Sequence, residues 1–548
     1  MANLSQQRRE KMLAFLETLK EQHSDDDSLI AIGEIEKELK AKKYGLVWEE
    51  HEEAVDVQMK TQIPVFTEIK EKEICADENG AYNFLLEGDN LHSLYLLEKT
   101  HRGKIDVIYI DPPYNTGKKD DFRYNDAFVV KEDTFRHSKW LSFMAERLKI
   151  ARKLLSSNGA IFISIDDDEQ AALKMLCDDI FGQQNFVASV IWEKKFSPQN
   201  DAKWLSDNHD FILVYAANKE VWKPNLLKRT EEMNARYSNP DNDPRGPWTS
   251  SDFSVRTFSE SGYYPITTPS GKVIYPADSR CWSTNEETFK KLAKDNRIWF
   301  GTKGSNVPRI KTYLSEVQQG VVCKTIWTRN EVGDSQEGTR DLKVLFDGKG
   351  VFKSPKPVRL IERILKLASK EDSIVLDFFA GSGTTGQAVI ELNKQDGGHR
   401  KFILCTNNEN GICEEVTYQR LRTVITGKRA DGSEYSEGIP ANLKYFKTDF
   451  VDKESEDLSD ELLEHIAEMI ELEYGIKIDS QKYVMIMTDE EMDEFERNIA
   501  SYAELKAVFV NQDILLSSTQ QKLLDSLTSY VIPDYYFDFE LREAGELW

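Results

Sequence analysis

Two short stretches of the 548-residue chain combine residue types that could do chemistry. The first is VIYIDPPYNTG, Val107 to Gly117, where β-favouring apolar residues run into Asp111, Pro112, Pro113 and Tyr114. Proline fixes φ, has no N–H and holds the residue before it extended, so Asp111 must leave its strand straight. The turn therefore presents carbonyl oxygens without donors that compete for them. A carboxylate oxygen and a free carbonyl make two acceptors, a set suited to an exocyclic NH2 group. The Tyr114 ring adds a face on which a planar base can stack. A turn that merely closes a strand does not explain an acid and an aromatic together on a sheet tip.

The second stretch is IVLDFFAGSGTTGQAV, Ile374 to Val389. A strand delivers Asp377; Phe379, Gly381 and Gly383 space a tight turn; Thr384 and Thr385 open a helix. Glycines there let backbone amides approach a ligand at a helix N-terminus. No GK[ST] follows and the spacing departs from GxGxxG, so a phosphate cradle is excluded and a nucleoside lacking phosphate is expected. The alternative for this stretch alone is a tight turn made for packing.

Stepping outward, the elements that carry these motifs alternate. FLLEGDN reads as a strand and turn, NLHSLYLLEK as a helix, IDVIYI as a strand, FRHSKWLSFMAERLKIARKLL as a helix, AIFISID as a strand, and DEQAALKMLCDDIFG as a helix closed by Gly182. Such alternation predicts a largely parallel sheet with helical crossovers. The block 186–350 breaks the rhythm with Trp, Tyr, Pro, Gly and Asn, and reads as an inserted, irregular, partly β module. The rhythm returns with SPKPVRLIERILKLAS, DSIVLDFF, GQAVIELNKQ and KFILC. One sheet is thus expected from two sequence blocks, 61–185 and 351–430, after a helical region 1–60 and before a small α/β unit 431–548.

Composition bounds the rest. With 40% hydrophobic and 30% charged residues the chain reads as soluble and globular, with material for several domains. No apolar run reaches the roughly 18 residues of a membrane span, and the charged, amphipathic start has no signal-peptide core. The six cysteines are scattered without CxxC pairs or nearby histidines. Neither a disulfide framework nor a metal site is expected, and a reducing cytoplasm fits. The net charge of −24 is unevenly placed: 431–548 holds 29 acidic and 9 basic residues, whereas 186–350 holds 21 acidic and 24 basic. A DNA-binding middle and an acidic end that avoids DNA are compatible with that distribution.

DPPY followed much later by DFFAGSG resembles the β class of amino-methylating DNA methyltransferases, in which the catalytic motif precedes the cofactor glycines and a target-recognition domain lies between. The resemblance covers about Tyr82 to Leu421. GLVWEEHEE, LLEGDNLHSLYLL, HSKWLSFMAERLKIARKLL, SIDDDEQAALKMLCDDIFG and SPKPVRLIERIL are similar to the modification subunit of type III restriction-modification systems. The resemblance implies an α/β fold: an AdoMet-dependent methyltransferase Rossmann-like sheet in circularly permuted motif order, with an inserted target-recognition domain, a helical N-terminal region and a small α/β C-terminal domain. It implies S-adenosyl-L-methionine (AdoMet) as cofactor, a flipped base in double-stranded DNA as substrate, no metal, a homodimer, and a helicase-nuclease restriction partner. Adenine N6 is the expected target, with cytosine N4 the rival within the class. A subunit that mainly reads DNA and recruits a nuclease is the rival outside it.

By the same resemblance, Asp111 and the Pro112 carbonyl would accept from the target amine, Pro113 would hold the turn and Tyr114 would stack. Asp377, Phe379, Gly381 and Gly383 would line the AdoMet pocket. Asp89 would sit near the cofactor adenine, or cap the helix that follows it, or both. Lys356 and Pro357 match the motif beside the methionyl end of AdoMet. Thr406 stands where the family usually has an acid for the ribose, with Glu409 as substitute. Trp204, Arg245, Trp248, Arg256, Tyr263, Tyr264, Arg280, Trp282, Lys303 and Arg309 interleave rings and cations in the inserted block, as a DNA-reading surface would.

Overall fold

Apolar strands alternating with amphipathic helices form one ten-stranded sheet in a computed structural model. The model describes the chain apart from residues 1–3, 24, 41–47, 119–122, 125–126, 199–201, 533–535 and 545–548. In chain order the strands are β1 (Gln62–Glu68), β2 (Tyr82–Glu87), β3 (Ile105–Ile110), β4 (Leu155–Ile165), β5 (Phe186–Glu193), β6 (His209–Ala216), β7 (Ile326–Trp327), β8 (Ile374–Asp377), β9 (Lys401–Thr406) and β10 (Asn442–Asp452). Across the sheet they run β1-β10-β2-β9-β8-β3-β4-β6-β5-β7. The central strands β10, β2, β9, β8, β3 and β4 are all parallel to one another. β1 runs antiparallel to β10, and β6 antiparallel to both β4 and β5.

The central strands read as continuous apolar runs because helices cover both faces. The helices nearest the motifs are α1 (Asn90–His101), α2 (Arg136–Leu154), α3 (Gln170–Cys177), α4 (Val358–Ala368) and α5 (Thr384–Asp396). Every residue of β2 is buried, as are most of β3, β4 and β9. One core cluster joins Leu86, Leu94, Ile108, Ile110, Trp140, Leu148, Ile163, Leu376 and Ile403. The decisive feature is that β3 and β8 are neighbours, with Val107 opposite Val375 and Ile108 opposite Leu376. The strands that deliver Asp111 and Asp377 therefore end side by side. In open α/β sheets the crevice beyond the carboxyl ends of the strands is where ligands bind.

The chain divides into two compact units, Met1–Lys223 with Thr325–Trp548, and Pro224–Lys324. The second unit is narrower than the 186–350 block expected from the sequence, because β5, β6 and β7 extend the main sheet. Its strands Trp248–Asp252, Ile298–Trp299 and Arg309–Tyr313 form a small antiparallel sheet, and Phe253, Tyr264, Ile266, Trp282, Ile298 and Phe300 form its core. Trp248, Tyr264 and Trp282 are thus buried framework rather than DNA-facing side chains. Arg245 is held by Asp243 and Asp295, Arg280 by Ser254, and Arg309 by Asp252 and Ser250. Arg256, Tyr263 and Lys303 stay exposed, and Trp204 belongs to the first unit.

The acidic C-terminal block also departs from expectation, since it does not begin as a separate domain. β10 lies between β1 and β2, and its buried Lys444 pairs with Glu68 (2.7 Å) and Glu471 (2.6 Å). The stretch EDLSDELLEHIAEMIELE, helical in pattern, forms two helices, Leu458–Leu463 and Ile466–Tyr474. A three-stranded parallel sheet follows, made of Tyr483–Ile486, Ala507–Asn511 and Ser529–Ile532.

Candidate active site

Asp111 follows β3 at the carboxyl edge of the sheet and is partly exposed. Lys356 Nζ donates to both Asp111 oxygens at 2.6 Å and to the Tyr114 hydroxyl at 3.0 Å. The Tyr114 hydroxyl in turn donates to Asp111 Oδ1 at 3.0 Å. The Lys356 ammonium lies 5.1 Å from the Tyr114 ring centre and 5.8 Å from that of buried Trp192. Burial and then the Asp111 charge push the Tyr114 hydroxyl well above its ordinary pKa, so it stays a phenol.

The two proline carbonyls have different fates. That of Pro113 accepts from the indole N–H of Trp140 at 2.7 Å, which pins the turn to α2. That of Pro112 accepts no hydrogen bond among the described residues. The chain then turns at Asn115, whose φ of 58° lies in the left-handed region. Its buried amide donates to Glu169 at 2.5 Å and to the Arg136 carbonyl at 3.3 Å, and the Glu169 carboxylate also bonds His137 at 2.5 Å. This buried support under the turn was not visible in the sequence, where Glu169 reads as an ordinary helix start.

Lys356 reaches Asp111 from a segment that packs closely on the helix Ser335–Leu345. A Cβ on Gly338 would lie 2.3 Å from the Pro355 carbonyl oxygen, so only glycine permits that approach. The resemblance places Lys356 beside the methionyl end of AdoMet; here its ammonium rests on the Asp111 carboxylate.

On the neighbouring strand, Asp377 is fully buried and accepts from Thr385 Oγ1 at 2.5 Å and the Phe379 amide at 3.0 Å. It shapes the glycine turn from beneath. Gly381 and Gly383 have φ of 48° and 76°, and Phe379 is half-exposed at the tip. Arg420, buried and also missed in the sequence, bonds the Ser382 carbonyl (3.2 Å) and Thr384 Oγ1 (2.8 Å) and so closes the turn from the other side. Burial raises the Asp377 pKa to about 7. A carboxyl whose folded pKa lies above its unfolded value favours the fold most at low pH, and that contribution fades between about pH 4 and 7. At full shift it is on the order of 4 kcal/mol. Asp377→Asn should therefore flatten the pH dependence of stability across that window, read by chemical denaturation at several pH values.

Asp89 has both roles foreseen for it structurally open. Its carboxylate caps α1 through the Leu91 amide at 2.8 Å, and its side chain remains about one-third exposed. Buried Arg147 donates to it at 3.1 Å and to both oxygens of Glu53 at 2.6 and 3.2 Å. Asn90 links the same cluster to the glycine turn, donating to the Phe378 carbonyl at 2.7 Å. Thr406 ends β9 buried, with its carbonyl accepting from the Gly88 amide at 3.1 Å; Glu409 opens a half-buried turn three residues on. Further carboxylates complete the edge. Asp166 follows β4, with a pKa raised to about 7 by burial, and Asp210 near the start of β6 is bonded by Lys194 at 2.6 Å. The strand AIFISID announces Asp166; nothing local announces Asp210, because an antiparallel strand brings its start, not its end, to this edge.

An α/β sheet whose adjacent strands end in DPPY and a glycine turn, in that permuted order, is the arrangement that the resemblance to amino-methylating DNA methyltransferases implies. The chain belongs to the DNA methylase family, whose model matches residues 105–418. It is similar to modification subunits of type III restriction-modification enzymes: 38% identical over 374 residues to the StyLTI Mod subunit of Salmonella typhimurium, covering 63% of this chain and 56% of that one, and 36% identical to the EcoPI Mod subunit of Escherichia phage P1, covering 61% and 58%. This chain thus spans little more than half the length of those two relatives. The type II methyltransferase M.KpnI of Klebsiella pneumoniae is 33% identical over 61% of this chain and 82% of its own. Among solved structures, the cytosine-N4-specific PvuII DNA methyltransferase aligns over 60% of this chain and 83% of its own, with 12% identity and a TM-score of 0.33. No group of three or more metal-ligating side chains occurs among the described residues, and no helix among them is long and apolar enough to cross a membrane.

Proposed function

We propose that the chain is a site-specific DNA methyltransferase that moves the AdoMet methyl group to the N6 amine of adenine in double-stranded DNA by base flipping. The observation that carries this reading is the Asp111 carboxylate, held by Lys356, beside a Pro112 carbonyl that accepts no hydrogen bond among the described residues, one strand away from a glycine turn suited to a nucleoside. The residues present fit AdoMet. The Asp89 carboxylate and the Phe379 ring are accessible, the turn at Gly381 and Gly383 keeps the strand-to-helix junction tight, and no phosphate-binding lysine follows it. When bound, AdoMet supplies an electrophilic methyl group.

The protein's own part is to present the amine. An aromatic amine is a poor nucleophile because its lone pair is delocalised into the ring. Asp111 and the Pro112 carbonyl would each hold one N–H, which favours a pyramidal nitrogen with its lone pair aimed away from both acceptors. The Tyr114 ring would keep the base plane fixed. Positioning of this kind and a fixed negative charge beside the nitrogen lower the barrier without a strong base. The Lys356 ammonium must yield at least one Asp111 oxygen as the amine arrives.

Tyr114→Phe keeps the ring and loses only the hydroxyl, so its methyl transfer should stay within about tenfold of wild type, whereas Tyr114→Ala should lose about 1–3 kcal/mol of base stacking. Single-turnover transfer on DNA separates the two. Incubation with labelled AdoMet and genomic DNA, followed by digestion to nucleosides, tests the function itself. N6-methyladenine is expected; N4-methylcytosine would transfer the reading to the rival amine, and no labelled nucleoside would reject it.

We further infer that the chain serves as the modification and recognition subunit of a type III system in the cytoplasm, acts as a homodimer and pairs with a helicase-nuclease partner. The support is the similarity to type III Mod subunits. The acidic helix Asp489–Asn498, exposed at Glu490, Asp493 and Glu494, is the proposed contact surface for a partner or second copy. Charge reversal at those three positions would test it by light scattering and partner binding.

A further inference from the structure

The loop between β5 and β6 carries the most conspicuous exposed apolar side chains of the first unit near the site. Trp204 is 84% exposed, Leu205 92% and Phe196 65%. A tryptophan left in water this fully is costly, which calls for a partner. Both ends of the loop are fixed. The Lys194 amide donates to the Asn208 carbonyl at 2.9 Å, Asn208 Nδ2 donates to the Lys195 carbonyl at 3.2 Å, and Lys194 Nζ bonds Asp207 (2.9 Å) and Asp210 (2.6 Å). β6 starts where β4 ends, with Phe211 opposite Ile165, so the loop rises from the same carboxyl edge of the sheet that carries the target site. Trp204 stands six positions from Asp210, within a reach of roughly 20 Å.

The charges around the loop indicate what covers it. In a chain of net charge −24, the groove beside this loop is lined by cations and, among the described residues, by no acid. Lys203 lies 5.1 Å from the Trp204 ring centre and Arg329 3.9 Å from that of Phe196. Lys195, Arg340 and Lys343 line an open groove of about 630 Å³. Lys195, Lys203 and Lys343 make no ion pair among the described residues. Apolar rings beside cations, of which Arg329 and Arg340 have acidic partners and the three lysines have none among the described residues, match stacked bases between phosphates, whereas a protein partner would be met by a more continuous apolar face.

We propose that Trp204, with Leu205 beside it, is the wedge that enters the DNA stack where the target base leaves it. The inference rests on the methyltransferase reading and assigns a positioning role: the wedge fills the space vacated by the base and keeps it from returning. Apolar wedges of this type unstack and kink duplexes in other DNA-binding proteins. The energetic need for one is greatest when the target is paired and least when it is already unpaired.

The test uses the full chain and a duplex carrying the methylated site mapped by sequencing, in two forms: with the target base normally paired, and with an abasic site opposite it. Single-turnover methyl transfer is read on both, and 2-aminopurine at the target position reports flipping by its fluorescence. Trp204→Ala should slow transfer on the paired duplex roughly tenfold to a hundredfold and weaken the 2-aminopurine signal, while the abasic-partner duplex restores transfer to within about threefold of wild type. Trp204→Phe should fall between, and Leu515→Ala, an 85% exposed apolar residue in the acidic C-terminal block, should change neither duplex. Wild-type rates for Trp204→Ala on the paired duplex, or an equal loss on both duplexes, would overturn the wedge while leaving the methyltransferase reading intact. A wild-type protein that methylates neither duplex would overturn that reading and the wedge with it.

Discussion

Asp111→Ala should lower single-turnover methyl transfer by about 10²–10³-fold, the range found when one preorganised hydrogen-bonding group is removed from a reacting centre. The loss has two sources. One N–H of the target amine would have no acceptor, so the nitrogen would sit less firmly with its lone pair aimed at the methyl group. The Lys356 ammonium would also lose both of its 2.6 Å carboxylate contacts and keep only the Tyr114 hydroxyl, leaving a cation beside the developing positive charge. Asp111→Asn should retain more activity than alanine, since its amide oxygen can still accept, though its NH2 end opposes both lysine and amine. AdoMet affinity, measured by calorimetry, should change little in either variant, because Asp89, Phe379 and the glycine turn are untouched. Adding Lys356→Met to Asp111→Ala removes the stranded cation; it should recover stability without recovering transfer. Equal transfer by Asp111→Ala and wild type would reject the two-acceptor account.

The parts of this site that could be read from sequence are those made by consecutive residues. DPPY states its own geometry, since two prolines leave few conformations for Asp111, and DFFAGSG announces a strand, a turn and a helix start within ten residues. Their adjacency follows from the parallel alternation, and β3 does pair with β8. Contacts made across long stretches of chain were not legible. The bond from Lys356 to Asp111 spans 245 positions and depends on a close approach at Gly338 that no local pattern signals. Ring and cation content misled in the inserted block for a related reason. A small unit needs large side chains for its own core: Tyr264 and Trp282 fill that of 224–324, and Trp248 is buried against Trp299. Acidity misled at the C-terminus, where net charge concealed that β10 is an interior strand with its one buried lysine neutralised by Glu68 and Glu471.

Arg147→Met should destabilise the protein by about 3–5 kcal/mol at neutral pH, the cost of stranding buried partners of a removed charge. The guanidinium is wholly buried, lies 3.7 Å from the Phe143 ring centre, and bonds Glu53, Asp89, Asn90 and the Phe143 carbonyl. Burial opposes its charge, but Asp89 and Glu53 outweigh that and raise its pKa. Glu53 is different: burial raises its pKa even with the arginine present. Once the arginine is gone, Glu53 escapes the penalty by taking a proton, so the destabilisation should shrink as pH falls from 7.5 to 5, when measured by chemical denaturation. Glu53→Gln in the Arg147→Met background removes the stranded charge outright and should recover part of the loss at pH 7.5, which a double-mutant cycle quantifies. The cluster also fixes Asp89 and, through Asn90, the carbonyl of Phe378 next to Phe379, whose ring lies 5.8 Å from that of Phe143. AdoMet affinity should therefore fall by at least about tenfold in Arg147→Met and be only partly restored by Glu53→Gln, because removing a charge repairs stability while the orientation of Asp89 still lacks its donor. Full restoration of affinity by that second change would mean that Arg147 serves folding alone and has no part in aiming the cofactor side of the site.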